Sequence, residues 1–297
     1  MKLSLGPIQY YWPRQKVMDF YAMVAKAPVD LVYLGENVCS KRRELRAADW
    51  LDVAHRLADA GKTVILSSLA LLEAESERLA LERLVGNGHF MVEANDATAL
   101  GLLVGQNFVA GPHINTYNAA TLAELRAMGA IRWVLPVELS SSVLQQMHDA
   151  RPEGLETEVI VFGKLPLAFS ARCFTARAHN VPKDACGLAC LDDPGGKYLN
   201  TQDSGELLTV NGIQLQSAEP SNLIEVLPDI AAMGVDVVRL LPEPEHMAEV
   251  IEAFRDCIDG HLSPQQALER IEDLFPRFSD GYWHGAAGMS WHQQMPV

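Results

Sequence analysis

Runs of apolar and β-branched residues alternate with segments of helical period along almost the whole chain, and no other feature constrains the fold as much. Strands are predicted at residues 2–7, 30–35 (DLVYLG), 63–66, 90–93, 108–111, 131–135 and 158–163 (EVIVFG). Helices are predicted at 12–27, with Val17, Phe20, Tyr21 and Val24 on one face, at 47–60, over an acidic stretch ending near 84, and at 96–104, 119–128 and 141–150. After residue 163 the alternation breaks. Residues 164–205 hold three of the five cysteines among Pro, Gly and Asp, and 207–216 reads as a hairpin turning at Asn211-Gly212. The pattern then resumes with helix 223–233, strand 235–241, helix 245–259 and a last helix opened by Ser263-Pro264 and running to 275. Pro228 conflicts with a helix interior, because it lacks the N–H and crowds the preceding turn.

Eight strand–helix units in 297 residues predict an α/β, TIM-like (β/α)8 barrel with a cysteine-bearing insertion after the seventh strand. The alternative, an open doubly wound sheet, lacks its Gly-rich dinucleotide fingerprint here. No linker or composition shift divides the chain, so residues 1–275 are expected to form one barrel domain and 276–297 an aromatic tail.

The formal net charge of −14 repels phosphate backbones and anionic lipid, which disfavours nucleic-acid binding. The longest charge-free stretch, 97–123, is interrupted by Gln106, Asn107, Pro112, Asn115 and Asn118, so no transmembrane segment is expected. The N-terminus has no apolar core and no cleavage site of a secretory signal, and a cytoplasmic location is the expectation. An odd number of cysteines in such a chain argues against a disulfide framework and toward metal ligation.

In a parallel barrel the C-terminal ends of all strands open on one face, and that face carries the chemistry. Cys39 lies four residues beyond DLVYLG, while Cys173, Cys186 and Cys190 follow EVIVFG with spacing Cys-x12-Cys-x3-Cys. Four thiols therefore meet above one mouth. Structural zinc sites usually use two close Cys pairs, and here there is one. A 4Fe–4S cluster takes one thiolate per iron and accepts a remote fourth ligand. Spacing alone leaves iron–sulfur, zinc and a set of incidental loop cysteines open. Cys257 shares the apolar stripe of its helix with Phe254 and Ile258 and reads as core.

EVIVFG followed by Ala171-Arg172-Cys173-Phe174 resembles the signature of the collagenase-like peptidase U-32 family, although Leu165 and Pro166 stand where that family usually has a cysteine. YLGENVCSKRR (33–43), LPLAFSARCFTAR (165–177) and VNGIQ (210–214) are similar to a branch of that family that serves ubiquinone biosynthesis. The resemblance covers nearly the whole chain and weakens beyond Pro276, where Phe278-Ser279-Asp280-Gly281-Tyr282 is similar to the family's closing motif. It implies that Cys39, Cys173, Cys186 and Cys190 ligate a 4Fe–4S cluster. It also implies a heterodimer with a homologous partner, UbiU, acting in oxygen-independent hydroxylation of the ubiquinone precursor ring. The peptidase label fits poorly: the sequence has neither HExxH nor G-x-S-x-G, and an iron-bound thiolate is no nucleophile. A metal-stabilised scaffold subunit, and a U-32-type peptidase or RNA-modifying enzyme, are the alternatives.

Other residues fall at the expected mouth. Lys41-Arg42-Arg43, the densest basic cluster, reads either as a site for a carboxylate or for the cluster's charge, or as a solvated helix start. His113 and Asn115 read as ligand contacts or as hydrogen-bonded structure, and Glu36 and Glu138 as acid–base candidates. Tyr282, Trp283, Trp291 and His292 suggest a tail packed back over the barrel, with a partner surface as the other option.

Overall fold

In the computed structural model, which describes residues 1–294, eight parallel strands close into a barrel. They are β1 (Lys2–Leu5), β2 (Leu31–Leu34), β3 (Thr63–Ser67), β4 (Met91–Ala94), β5 (Phe108–Ala110), β6 (Ala130–Val134), β7 (Glu156–Phe169) and, after an insertion holding β8 (Lys197–Asn200), β9 (Glu206–Asn211) and β10 (Gln214–Asn222), strand β11 (Val237–Leu240). Closure runs through β11, which pairs with β1 (Lys2 opposite Val237) and with β7 (Val237 opposite Glu158). The fold is the expected (β/α)8 barrel.

The intervening helices are α1 (Arg14–Val24), α2 (Ala47–Asp59), α3 (Glu75–Val85), α4 (Ala97–Leu103), α5 (Ala119–Met128) and α6 (Ser141–Asp149), with α7 (Phe174–Ala178) in the insertion. After it come α8 (Leu227–Ala232), α9 (Met247–Ile258) and α10 (Pro264–Glu269). Local chemistry fixes several starts. The Asp96 carboxylate accepts from the N–H groups of Thr98 and Ala99 at 2.8 and 3.1 Å, and Asn118 accepts from Thr121 N at 2.8 Å. Pro228 sits in the first turn of α8, where a missing N–H costs nothing, and a 3-10 turn over Ile224–Val226 precedes it. The final helix does begin at Ser263-Pro264, but it ends at Glu269 and continues as a 3-10 turn over Glu272–Leu274.

Strand β7 is longer than the sequence pattern suggests because it has two partners in succession. Up to Phe162 it pairs in parallel with β11, and from there it runs antiparallel to β10 out of the barrel. The change occurs at Gly163, whose φ is +104° and where a Cβ would lie 2.7 Å from the Leu241 carbonyl oxygen. The insertion thus stands on a strand extension rooted in the barrel wall. It includes the hairpin β9–β10, which turns at Asn211-Gly212 as expected.

Leu31, Ile65, Val109, Val134, Ile160, Val237 and Leu241 fill the barrel interior, and the larger core lies between the strands and the helices. Residues 276–294 return to the mouth. Asn222 N donates to the Ser279 carbonyl, and Ser279 N donates to that of Pro220, each at 3.0 Å. Tyr282 packs on the interior cluster, and Trp283 is buried with its carbonyl accepting from Ser141 N. No helix among the described residues is long and apolar enough to cross a membrane.

Candidate functional site

Chain reversals beyond β2 and β7 bring the cysteines together. After β2, Glu36 Oε1 accepts from the backbone N–H groups of both Val38 and Cys39 at 2.9 Å, folding the loop back on itself. After β7, Cys173 caps α7, its Sγ accepting from Ala176 N at 3.4 Å. Helix α7 rests on the β9–β10 turn, since the Gly212 carbonyl accepts from Phe174 N and Thr175 Oγ1 accepts from Gly212 N. Between Cys186 and Cys190 the chain reverses through two successive left-handed residues, Gly187 (φ +58°) and Leu188 (φ +59°).

Cys39, Cys173 and Cys186 share one small apolar cluster with Val38, Phe169, Ala176 and Ile213. Cys190 lies beside Arg42 and near both Cys39 and Cys173. Burial pushes the Cys39 and Cys190 thiols up, and the Arg42 charge opposes it at both. All four are free thiols, and no three of their sulfurs lie within 4.8 Å of one another. Cys257 sits at the edge of the main core on α9, away from the other four, as its apolar stripe implied.

The basic cluster is not a helix start, because α2 begins only at Ala47. Arg42 is 4% exposed, and its guanidinium donates to Gln9 O and to Asn211 Oδ1, each at 2.6 Å. Gly212 makes room for it: a Cβ there would meet Arg42 Nη2 at 2.8 Å. Lys41 Nζ donates to the Lys183 carbonyl at 2.9 Å and to Asp184 at 2.8 Å. Lys41 therefore ties the Cys39 loop to the segment between Cys173 and Cys186, and Arg42 ties it to the β9–β10 turn on which α7 rests. The Arg43 side chain donates to the Ser40 carbonyl, and its backbone N–H donates to the Tyr11 hydroxyl at 3.2 Å.

His113 is edge-on to Phe169 with ring centroids 4.8 Å apart, and burial first, then the Arg239 charge, push it from its ordinary 6.5 down to about 3. It stays neutral. Asn115 is exposed, Glu138 accepts from Tyr117, and Glu36 is spent on the Cys39 loop, its carboxyl raised by burial against the opposing Arg42 charge.

The sequence reading missed the polar heart of the barrel. Arg239 on β11 donates to Glu158 on β7 at 2.8 Å and to Glu93 on β4 at 2.7 Å, and its guanidinium lies 3.7 Å from the centroid of the Tyr33 ring. Tyr33 and Ser4 also donate to Glu158, and Arg132 donates to Tyr33. A signal existed: Glu93, Glu158 and Arg239 interrupt otherwise apolar strands, and in a closed barrel such residues must find partners inside. At the mouth, Lys164 Nζ donates to Thr209 Oγ1 at 3.1 Å. Its backbone N–H and Tyr10 OH both donate to the buried Glu243.

The family model for peptidase family U32 matches residues 16–293. The chain belongs to that family. Among curated proteins it is 27% identical over 157 residues to tRNA hydroxylation protein P of Escherichia coli (strain K12), covering 53% of this chain and 34% of that protein. It is 25% identical over 185 residues to the protein of the same name from Haemophilus influenzae, covering 58% and 38%. The alignments span little more than a third of those relatives' length. A solved structure of the U32 peptidase Mk0906 superposes with a TM-score of 0.46 at 13% identity, covering 82% of this chain and 94% of that one.

Proposed function

We propose that this U32-family chain is the iron–sulfur subunit of an oxygen-independent hydroxylase, and that its branch is that of the ubiquinone biosynthesis protein UbiV. On this reading Cys39, Cys173, Cys186 and Cys190 hold a 4Fe–4S cluster, UbiU is the partner in a heterodimer, the aromatic ring of a ubiquinone precursor is the substrate and the cytoplasm is the location. The observation that carries it is the gathering of Cys39, Cys173 and Cys186, from two remote loops, in one apolar cluster, with Cys190 and Arg42 beside them. Two features of the donor set fit the group. The sulfurs are more widely spread than a zinc tetrahedron, whose bonds of about 2.3 Å hold sulfurs about 3.8 Å apart. The buried cation of Arg42 offsets the negative charge that four thiolates bring to a cubane. When bound, such a cluster supplies one-electron transfer. The chain's own part is to exclude water with Val38, Phe169 and Ile213 and to hold the two cysteine-bearing segments in register through Lys41 and Arg42.

The names of the relatives favour a second reading, hydroxylation of a tRNA base, which the net charge of −14 opposes. One deletion strain separates the two. Grown without oxygen, it should accumulate under-hydroxylated quinone precursors while its tRNA hydroxylation is unchanged; the reverse pattern selects the tRNA reading. Protein co-expressed with UbiU and purified anaerobically should carry iron and acid-labile sulfide in equal amounts. Zinc without sulfide removes the iron–sulfur proposal.

A further inference from the structure

The segment that closes over the barrel mouth carries three metal-ligating side chains that neither the cysteine centre nor the hydroxylation reading uses. Asp280, His284 and His292 each offer one donor atom, and the three atoms lie within 4.8 Å of one another. The Asp280 carboxylate is 2% exposed, and its Oδ2 faces His284 Nε2 at 3.2 Å and His292 Nδ1 in still closer contact. The other ring nitrogen of His292, Nε2, faces Glu225 Oε2 at 3.4 Å, and that oxygen also accepts from Gln293 Nε2. Two carboxylates thus face the two nitrogens of one imidazole. With His292 in the tautomer that donates from Nε2 to Glu225, its Nδ1 lone pair is free to join those of Asp280 and His284 on a cation. Orientation of a ligating imidazole by a carboxylate on its far nitrogen is the usual support for a metal-bound histidine.

We propose that Asp280, His284 and His292 bind one divalent first-row transition-metal ion, with Glu225 orienting His292. Two imidazole nitrogens and one carboxylate oxygen suit zinc, iron, cobalt or nickel rather than calcium or magnesium, and they leave a fourth position to water. The ion's two positive charges balance the carboxylates of Asp280 and Glu225. Its role is to lock a loop: the N–H groups of Asp280 and Gly281 already donate to the Ser290 carbonyl at 2.9 and 3.0 Å. A metal bridging positions 280 and 292 fixes that loop and with it Tyr282, which packs on the interior cluster, and Trp283.

The test is a Co2+ titration of the full chain, stripped of adventitious metal and handled without oxygen, followed by visible absorption. The expected result is one Co2+ per chain with d–d bands of nitrogen/oxygen ligation, counted apart from any ion that the cysteines take with thiolate-to-cobalt charge transfer. His284→Gln and His292→Gln should abolish this spectrum, and Glu225→Gln should weaken binding by about ten- to a hundred-fold. Near-UV dichroism of the tryptophans reports whether each variant is folded. The wild-type spectrum decides the matter even if a variant is not. Thiolate charge-transfer bands as the only signal, or binding unchanged in folded His284→Gln and His292→Gln, would overturn the proposal. So would the absence of stoichiometric binding, which leaves Asp280 and the histidines as a hydrogen-bonded network holding only protons.

Discussion

Arg239 Nε and Glu158 Oε1 meet at 2.8 Å inside the barrel, with both side chains at 1% exposure or less. Glu93 and the Tyr33 ring complete the surroundings of the guanidinium, and Arg132 reaches Glu158 from the far side at 3.7 Å. Two carboxylates and two guanidiniums are thereby neutralised where water cannot solvate them.

Arg239→Met leaves Glu158 and Glu93 without their shared cation, and removing one partner of a buried pair costs about 3–5 kcal/mol. The urea midpoint of the variant should fall accordingly. A loss below about 1 kcal/mol at neutral pH would show that water reaches these groups.

Glu158 and His113 contribute to the pH dependence with the same sign, against the buried Glu36 and Glu243, whose carboxyls are raised. Burial works against ionised Glu158, but Arg239 and Arg132 outweigh it and hold the carboxyl below its usual range. A depressed carboxylate contributes stability above its unfolded value of about 4.3, lost as pH falls through the folded value. His113 is likewise depressed, from 6.5 to about 3, so the unfolded chain takes up its proton first and stability falls as pH drops from 6.5 toward 3. In unfolding free energy measured from pH 7 to pH 4, His113→Phe should flatten the dependence everywhere below about pH 6.5, leaving the Glu158 share below about pH 4.5.

If the four cysteines hold the proposed 4Fe–4S cluster, replacing Cys39, Cys173, Cys186 or Cys190 by Ala should strip iron from anaerobically prepared protein, because each thiolate would serve one iron. Cys257→Ala should leave the iron content unchanged and cost about 1 kcal/mol through lost packing at the core edge. Iron analysis beside a thermal melt checks both outcomes.

Gly212→Ala tests the link between the hairpin and the cysteine loops. Its φ of +65° disfavours a Cβ by about 1–2 kcal/mol, and that Cβ would press on Arg42 Nη2. The expected result is a lowered melting temperature together with faster loss of iron to a chelator. Arg42→Met should act in the same direction and leave Asn211 Oδ1 short of a donor.

Asp96→Ala removes the side-chain acceptor for Thr98 N and Ala99 N at the start of α4 and should cost about 1 kcal/mol. Iron content should be unchanged. The variant therefore serves as a control for destabilisation remote from the cysteines.

Much of this molecule is legible along the chain because it rests on local periodicity. A four-residue strand such as LVYL, buried on both faces, and a helix such as α5, opened by Asn118 and closed before Gly129, announce themselves by hydropathy and capping chemistry. The segregation of Cys257 from the other cysteines follows from its place on a helical stripe. The extension of β7 was not legible, since it depends on pairing with β10, some fifty residues further on.

By itself the sequence determined the number and order of the strand–helix units, the closed parallel architecture and the side of the barrel on which the cysteines lie, because each follows from patterns within a few turns of chain. Only the tertiary structure decided what Arg42 does, since its partners Gln9 and Asn211 are 33 and 169 residues away. Only the tertiary structure, too, joined Glu93, Glu158 and Arg239 across three strands and set His284 and His292 around Asp280. Electrostatic partnership in a low-dielectric interior acts over a few ångströms of space, and hydropathy along the chain carries no record of which strands closure will bring face to face.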